Sequence, residues 1–283
     1  MELGVLAALV ASLIWGFAPA IIKLGVSEDT SAVVFNTLRL IAAIPVTALI
    51  IVVLHEQLVV PSNIIGWIAV FAAGTIGPGI GDVAYIYAIR EVGGGKAVTI
   101  GYTYILISQF LALLFFGEEL AWNLITGSVL AIIGIWLVAR EAKNKSYNVK
   151  GIMASCVSAV AWGFGSIANK YALTYTNPLS LALLRMIFLL VILLAFTWRQ
   201  LGNTNKKAIY ASIFTGATSY GIAMPLFLYA LDVIGVSVTV LITALTPALG
   251  RITTRILTKE EISLHGIIGT IVIILGLIIG TST

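Results

Sequence analysis

A duplicated apolar stretch constrains the fold of this chain more than any other sequence feature. Residues 4–23 read GVLAALVASLIWGFAPAIIK, and residues 151–170 read GIMASCVSAVAWGFGSIANK. The Trp-Gly-Phe triplet that begins at Trp15 returns at Trp162, and each copy of the stretch ends in a lysine. An internal repeat of this kind indicates that the second half of a chain restarts the structural plan of the first. We therefore predict two related halves.

The composition indicates that lipid surrounds most of the chain. Hydrophobic residues make up 60% of the 283 positions, charged residues make up 10%, and the mean hydropathy is +1.08. Soluble proteins carry about 25% charged residues, and their surface is too large to hide so many apolar side chains. The net charge of +4 comes from basic residues between apolar runs, which favours membrane orientation over nucleic-acid binding. The single cysteine, Cys156, excludes an internal disulfide and a Cys-rich metal site.

The apolar runs predict an all-α polytopic integral membrane protein with ten transmembrane helices. A helix needs about 20 apolar residues to cross the hydrocarbon core. The polar segment 140–150 separates two five-helix repeats, residues 1–145 and 146–283. An odd number of spans per repeat inserts the repeats in opposite orientations, which in transporters places a binding site between them. The predicted spans are 4–24, 33–54, 64–89, 97–116, 121–139, 151–172, 179–197, 208–230, 237–257 and 263–280.

The repeat continues beyond the opening stretch, and its matched positions keep the same order in both halves. They are Arg39 with Arg185, Tyr87-Ala88-Ile89 with Tyr229-Ala230-Leu231, Gly93 with Gly235, and the acidic turns 117–119 with 259–261. With these motifs the chain resembles the EamA family of the drug/metabolite transporter superfamily over essentially its whole length. The resemblance implies a central cavity lined by spans 1, 3, 4, 6, 8 and 9, with spans 5 and 10 packing the halves together. It also implies movement of small metabolites, often outward, by alternating access.

Asp82 is the only acidic residue well inside a predicted span, within the sequence GTIGPGIGDVAYI of residues 74–86. A charge at membrane depth is costly unless it is paired or hydrated, so it points to function. Pro78 and the glycines around it predict locally irregular backbone, which at this depth faces a cavity. Three roles stay open for Asp82: an ion pair with Arg39 or Lys23, binding of a substrate amine, and binding of a coupled proton. A fourth alternative is that Asp82 has no clear role.

Four basic residues are predicted to serve structure and charge pairing. For Arg39 and Arg185 the favoured interpretation is bonding to helix-end or loop carbonyls, and the alternative is contact with a substrate carboxylate. Lys23 and Lys170 end their predicted helices, where a cation complements the helix dipole or reaches toward the interface. Only the two arginines above and Arg251 are placed to hold an anion, so the sequence does not favour phosphorylated sugars.

The predicted solute pocket combines aromatic and polar side chains. Trp15 and Trp162 lie mid-span, where an indole N–H needs a partner; a lid or stacking role and plain core packing both stay open. The fourth, eighth and ninth spans carry polar residues near helical spacing, and a polar stripe inside a membrane bundle faces protein or water. The predicted substrate-binding residues are Trp15, Asp82, Tyr85, Thr99, Tyr102, Gln109, Trp162, Tyr220, Thr243 and Thr246.

Two arguments about orientation in the membrane disagree. The loops on the side of the termini lack Lys and Arg, so the positive-inside rule predicts both termini outside. Relatives in the resembled family are usually drawn with both termini inside. In either orientation we expect a multi-pass protein of the plasma membrane.

The sequence lacks the motifs of common enzymes. It contains no Gly-rich phosphate loop with Lys and Ser/Thr, and no Ser-His-Asp set at depth. We expect no catalytic residue, no metal, no cofactor and no nucleic-acid partner. We predict a secondary transporter that exports a small organic metabolite, an amino acid or related amphipathic amine, by alternating access. The alternative is a passive channel or facilitator, or a membrane-embedded enzyme. The expected partners are a small-molecule substrate and the lipid bilayer; proton coupling and the choice between monomer and weak dimer stay open.

Overall fold

Every regular element that the structure describes is a helix. The computed structural model describes residues 1–27, 30–140, 148–258 and 264–282, with side chains at all of these positions except 95–96, 99, 138–140, 251–252 and 254–258. The α-helices are α1 Glu2–Gly25, α2 Ala32–Val53, α3 Ile64–Gly74, α4 Asp82–Val92, α5 Gly94–Gly101, α6 Tyr104–Phe116, α7 Trp122–Arg140, α8 Val149–Ala172, α9 Pro178–Thr197, α10 Lys206–Thr215, α11 Met224–Ile242, α12 Leu245–Thr258 and α13 Leu264–Thr281.

Within the described residues, seven helical stretches are long and apolar enough to cross a membrane. This confirms the prediction of a polytopic all-helical membrane protein. Two further apolar helices, Tyr104–Phe116 and Trp122–Leu137, are shorter. The count of ten crossings and the boundary between the repeats at residue 145 stay predictions. The seven stretches are Glu2–Gly25, Ala32–Val53, Ile64–Val92, Val149–Ala172, Pro178–Thr197, Lys206–Ile242 and Leu264–Thr281.

Two of the long stretches are continuous because π-helical turns join their α-helices. The first π-turn, Thr75–Gly81, joins α3 to α4, and the second π-turn, Gly216–Ala223, joins α10 to α11. Their sequences, TIGPGIG and GATSYGIA, are rich in small residues, and Pro78 removes a backbone donor from the first. Such turns occur frequently at functional sites. The irregular backbone predicted before Asp82 is therefore present, and the other half has its own copy at the repeat-related place.

The first helix of each half packs into the other half. α1 lies against α10, α11, α12 and the second π-turn, whereas α8 lies against α3, α4, α6 and the first π-turn. Glycines allow these close approaches, since Gly16 faces Leu249 and Gly165 faces Gly77. The two halves therefore interlock, and elements of both meet at the centre of the molecule.

The last helix of each half, α7 and α13, pack tightly against each other. A Cβ on Gly134 would lie 2.6 Å from the Gly269 carbonyl oxygen, and a Cβ on Gly276 would lie 2.6 Å from that of Gly127. Small residues let helix backbones approach closely inside a membrane, where van der Waals packing holds helices together. The family resemblance implied this contact, and the structure shows that the glycines of α13 serve it within the chain.

Two repeat-related glycines, Gly93 and Gly235, interrupt the helical backbone. They take φ values of +84° and +78°, a region that favours residues without a Cβ. The carboxylate of Glu118 accepts hydrogen bonds from the two backbone amides that follow Gly235, at 2.7 and 2.9 Å. It thereby satisfies free N–H groups and complements the helix dipole where the helix restarts. The matching acidic turn of the second half, 259–261, lies outside the described residues.

We predict that Gly127→Ala destabilises the protein by about 1–3 kcal/mol, the usual cost of overpacking. The added methyl group would collide with backbone atoms of Gly276 and Gly280, which cannot move without separating α7 from α13. The measurement is the thermal unfolding midpoint of the purified protein in detergent. The matched control is Gly202→Ala, because a Cβ there meets no atom within 4 Å. Equal midpoints for the two variants would contradict the prediction.

Candidate functional site

The two halves enclose a central cavity of about 110 Å³. A cavity needs roughly 10–15 Å³ to hold one water, so this cavity has room for several waters or for part of a small solute. Both π-turns reach its wall, as do α1 and α8. The family resemblance implied walls from spans 1, 3, 4, 6, 8 and 9. The structure adds α2 and α9, which contribute Arg39 and Arg185.

Asp82 is the centre of a hydrogen-bond network on the cavity wall. Its Oδ1 accepts from Trp162 Nε1 at 2.6 Å, and its Oδ2 lies 3.1 Å from Arg39 Nη1 and 2.5 Å from the Tyr220 hydroxyl. The Arg39 guanidinium also stacks over the Tyr220 ring, 4.1 Å from its centroid. Of the two ion pairs left open by the sequence, the structure contains the pair with Arg39 and not the pair with Lys23.

Asn36 connects this network to the first π-turn. Its side-chain amide donates to the Pro78 carbonyl at 2.8 Å, and its side-chain oxygen accepts from Arg39 Nη1 at 3.3 Å. The Tyr220 hydroxyl lies 3.0 Å from the same oxygen and shares its single proton between Asn36 and Asp82. The irregular backbone at membrane depth is therefore satisfied by a buried side chain, as a lipid environment requires.

The partners of Asp82 come from both halves of the chain. Arg39 lies in the same half as Asp82, whereas Trp162 and Tyr220 lie in the other half. The side chains of Arg39 and Asp82 are only 5% and 15% exposed. The carboxylate thus neutralises a buried arginine and also ties the halves together across the cavity.

Arg185, the repeat counterpart of Arg39, also reaches the cavity wall. Its side chain is fully buried, and its Nη1 donates to Asn169 Oδ1 at 2.7 Å. The prediction that both arginines bond helix-end or loop carbonyls is wrong for the contacts seen in the described residues. Each guanidinium bonds side-chain oxygens instead, those of Asn36 and Asp82 in one half and that of Asn169 in the other. The acceptors are available because Asn36 lies one turn before Arg39 on α2, while α4 and α8 supply Asp82 and Asn169.

The repeated tryptophans form two related aromatic walls. Trp162 packs against Tyr85 with 4.8 Å between ring centroids, and Trp15 packs against Phe227 at 5.2 Å. Both indoles find a hydrogen-bond acceptor, as a buried indole must. Trp15 Nε1 donates to the Ser219 carbonyl at 3.1 Å, in the second π-turn. Each tryptophan therefore reaches across to the opposite half.

The two walls differ in polarity at their matched positions. Asp82 and Tyr85 of α4 correspond by the repeat to Met224 and Phe227 of α11, and all four line the cavity. One wall therefore presents a carboxylate and a phenol, and the other presents a thioether and a phenyl ring. The cavity is amphipathic because one half has polar side chains where the other has apolar ones.

Two other predicted residues, Tyr102 and Thr246, line the cavity. The Tyr102 ring lies 6.0 Å from that of Trp162, and Tyr104 joins the same cluster at 5.8 Å. The side chain of the predicted Thr99 lies outside the described part of the structure.

Gln109 and Thr243, predicted to bind substrate, lie away from the described cavity wall. Gln109 Nε2 donates to Ser128 Oγ at 2.7 Å and to the Ser237 carbonyl at 3.2 Å, which ties α6 to α7 and α11. Thr243 Oγ1 lies 2.5 Å from the Tyr104 hydroxyl. In this structure both polar groups hold helices together, a common use of buried polar side chains in membrane bundles.

The two repeat-related lysines have different surroundings. Lys170, in the last turn of α8, donates from Nζ to the carbonyl oxygens of Leu231 and Asp232 at 2.9 and 3.1 Å. Lys23, in the last turn of α1, is exposed. Neither residue lines the cavity in the described structure.

Among the cavity-lining residues that the sequence-based set omitted are Asn169, Met224 and Phe227. The repeat carried a signal for two of them, since they are the counterparts of Asp82 and Tyr85. No sequence signal pairs Asn169 with an arginine of α9, because that contact depends on how α8 and α9 pack in three dimensions.

A membrane-spanning helical bundle whose two halves enclose an amphipathic cavity has the architecture of a solute transporter. The model of the EamA-like transporter family matches this chain twice, over residues 2–140 and over residues 149–281. The chain belongs to the EamA-like transporter family, and it is a multi-pass membrane transporter. The family resemblance predicted from the sequence is confirmed.

Relatives over most of the chain carry transporter names. The chain is similar to the uncharacterized transporter YoaV of Bacillus subtilis (strain 168), with 20% identity over 96% of this chain and 94% of the relative. It is also similar to an uncharacterized transporter of Archaeoglobus fulgidus, with 23% identity over 71% of this chain and 70% of the relative. One crystal structure of another protein shares the fold, with a TM-score of 0.76 and 17% identity over 98% of both chains.

We predict that Asp82→Asn lowers the free energy of unfolding by about 3–5 kcal/mol, because Arg39 then keeps its charge without a counter-ion. The measurement is equilibrium unfolding of the purified protein in detergent. The matched control is Glu91→Gln, which removes the acid of a less buried pair whose side chains are both 22% exposed. Exposed pairs contribute roughly 0–1 kcal/mol. If both variants lost similar free energies of unfolding, the burial of the Asp82–Arg39 pair would not explain its contribution to stability.

Proposed function

We propose that this chain is a secondary transporter that carries a small organic metabolite outward across the plasma membrane by alternating access. The observation that carries the proposal is the central cavity, whose walls are repeat-related residues of both halves. A site built from two halves changes its access when the halves rock against each other. In two inverted repeats of five crossings each, the repeats can exchange their conformations. This exchange opens the cavity first to one side of the membrane and then to the other.

The solute class is a compact amphipathic molecule, an amino acid or a related amine. Aromatic rings from Trp15, Tyr85, Trp162 and Phe227 provide flat apolar surface. Polar groups in the same cavity, among them Asp82, Arg39 and Tyr220, orient a solute, and this mixture is the usual composition of a small-molecule site. A pocket with both kinds of wall favours a solute that has both an apolar part and a polar part.

The hydrogen bonds of Asp82 to Trp162 and Tyr220 are the contacts that change between the two states. They cross from one half to the other, whereas the ion pair with Arg39 stays within one half. Rocking of the halves exchanges these two bonds for others, and the ion pair keeps the charge compensated meanwhile. A proton on the carboxylate of Asp82 would weaken its interactions with all three donors. Substitution of Asp82 therefore tests whether transport is coupled to protons.

Counterflow separates a carrier from a passive channel. We predict that proteoliposomes preloaded with an unlabelled solute transiently accumulate the labelled solute above its outside concentration, because a carrier exchanges its cargo across the membrane. A channel lets label equilibrate without an overshoot, and an enzyme converts the label into a product. The panel consists of radiolabelled amino acids and the amines derived from them. Comparison of the wild type with Asp82→Asn, with and without a pH gradient, shows whether the carboxylate couples proton movement to transport.

We predict that Trp15→Ala lowers the initial rate of counterflow by at least about tenfold, because it removes a wall of the cavity and the bond to the second π-turn. The matched control is Trp122→Ala, since that side chain is 82% exposed and lies at the start of α7. The rate is compared at equal amounts of folded protein, measured by size-exclusion chromatography. An unchanged counterflow rate in Trp15→Ala would contradict the prediction that Trp15 takes part in solute transport.

A further inference from the structure

Arg185 is a buried cation whose hydrogen-bonding capacity is mostly unused. Its side chain is 0% exposed, and one of its nitrogens, Nη1, donates to Asn169. Its Nε and Nη2 have no hydrogen-bond partner among the residues whose side chains the structure describes. The residue lines the central cavity. Buried polar groups are normally satisfied, so two free donors on one charged group call for an explanation.

The repeat shows which partner is missing. Arg39 of the first half is neutralised by Asp82, and Nε, its fully buried nitrogen without a hydrogen-bond partner, belongs to a paired guanidinium. The position that corresponds to Asp82 in the second half is Met224, which carries no charge. Arg185 therefore occupies the same place in its half as Arg39 does, but the acid of the pair is absent.

The charges on the cavity wall do not cancel. Among the described lining residues, Arg39 and Arg185 carry positive charge and Asp82 carries negative charge, which leaves one positive charge in excess. The sequence alone did not favour anions, because it could not show that one of the two arginines already has its counter-ion. A solute with one negative charge balances the cavity, whereas a doubly charged phosphate leaves an excess of the opposite sign.

We propose that Arg185 binds the carboxylate of the transported solute, which supplies the acid that the second half lacks. That the solute is transported, and not merely bound, rests on the proposed function. Nε and Nη2 form one edge of the guanidinium, and two parallel N–H groups match the two oxygens of a carboxylate. The apolar part of the solute lies against the second wall, formed by Trp15, Met224 and Phe227. The solute is thus a small monocarboxylate with an apolar side chain. An amino acid presents the same carboxylate to Arg185, but its ammonium group leaves the excess positive charge of the cavity in place.

Binding is tested on the purified full chain, without any need for transport. The probes are a graded set of monocarboxylates from acetate to 3-phenylpropionate, each beside the amine with the same carbon chain. The readout is the rise of the thermal unfolding midpoint with probe concentration, which gives an apparent Kd. We expect the longer carboxylates to bind and the amines not to bind. In Arg185→Gln the Kd rises roughly ten- to hundredfold, while Arg199→Gln, which changes an exposed arginine, binds as the wild type does.

A second variant places the missing acid in the protein itself. Met224→Asp copies the arrangement of the first half, and Met224→Asn is the matched uncharged control. We expect Met224→Asp to have a higher unfolding midpoint than Met224→Asn, because its carboxylate pairs with Arg185. We also expect it to lose the response to carboxylate probes, since the internal acid occupies the site. This test holds even if Arg185→Gln fails to fold.

Several results overturn the inference. They are equal binding of carboxylates and amines, no binding of any carboxylate by the wild type, unchanged binding in Arg185→Gln, and equal midpoints for Met224→Asp and Met224→Asn. The proposed function fails separately. If carboxylates bind through Arg185 and the same compounds show no counterflow in proteoliposomes, the binding site stands and secondary transport of these solutes is rejected.

Discussion

The structure depends on the compensation of one buried carboxylate on the wall of the central cavity. Neither Asp82 nor Arg39 is tolerated alone at this depth, because an uncompensated charge costs more than a single packing contact provides. The remaining donors, Trp162 and Tyr220, come from the other half of the chain, and they reach Asp82 because α8 and the second π-turn cross into the first half. The contacts that compensate the charge of Asp82 are therefore also contacts that join the two halves.

The repeat conserves the scaffold and varies the chemistry on it. Both halves have an inserted first helix, a π-turn, a glycine of positive φ and an arginine at the cavity. Both first helices also carry a tryptophan that bonds to the opposite half. The differences lie on α4 and α11, where Asp82 and Tyr85 of the first half correspond to Met224 and Phe227 of the second half. Symmetry provides two halves that fit together, and these substitutions give the cavity a polar and an apolar wall.

Hydropathy and the repeat predicted the membrane class and the family, and Pro78 with its glycines predicted the irregular backbone before Asp82. The roles of the arginines were not predictable, since the family resemblance did not place α2 and α9 on the cavity and since Asp82 and Asn169 reach them from other helices. Gln109 shows a second limit: a polar residue on an apolar helix indicates a buried partner, but it does not tell whether that partner is a solute or another helix. Periodicity describes one helix at a time, and the site is made where several helices meet.

The asymmetry between the two arginines gives the solute a way to favour one state over another. A ligand shifts a conformational equilibrium only by binding one state more tightly than the other. The pair of Arg39 and Asp82 is complete within the protein itself, so it does not need a solute to compensate its charge. Arg185 has two nitrogens without a partner among the described side chains, and in the proposed site the state in which they meet a carboxylate is stabilised by the solute. In the proposed mechanism, the arginine of one half thus maintains the structure, and its counterpart in the other half binds the solute.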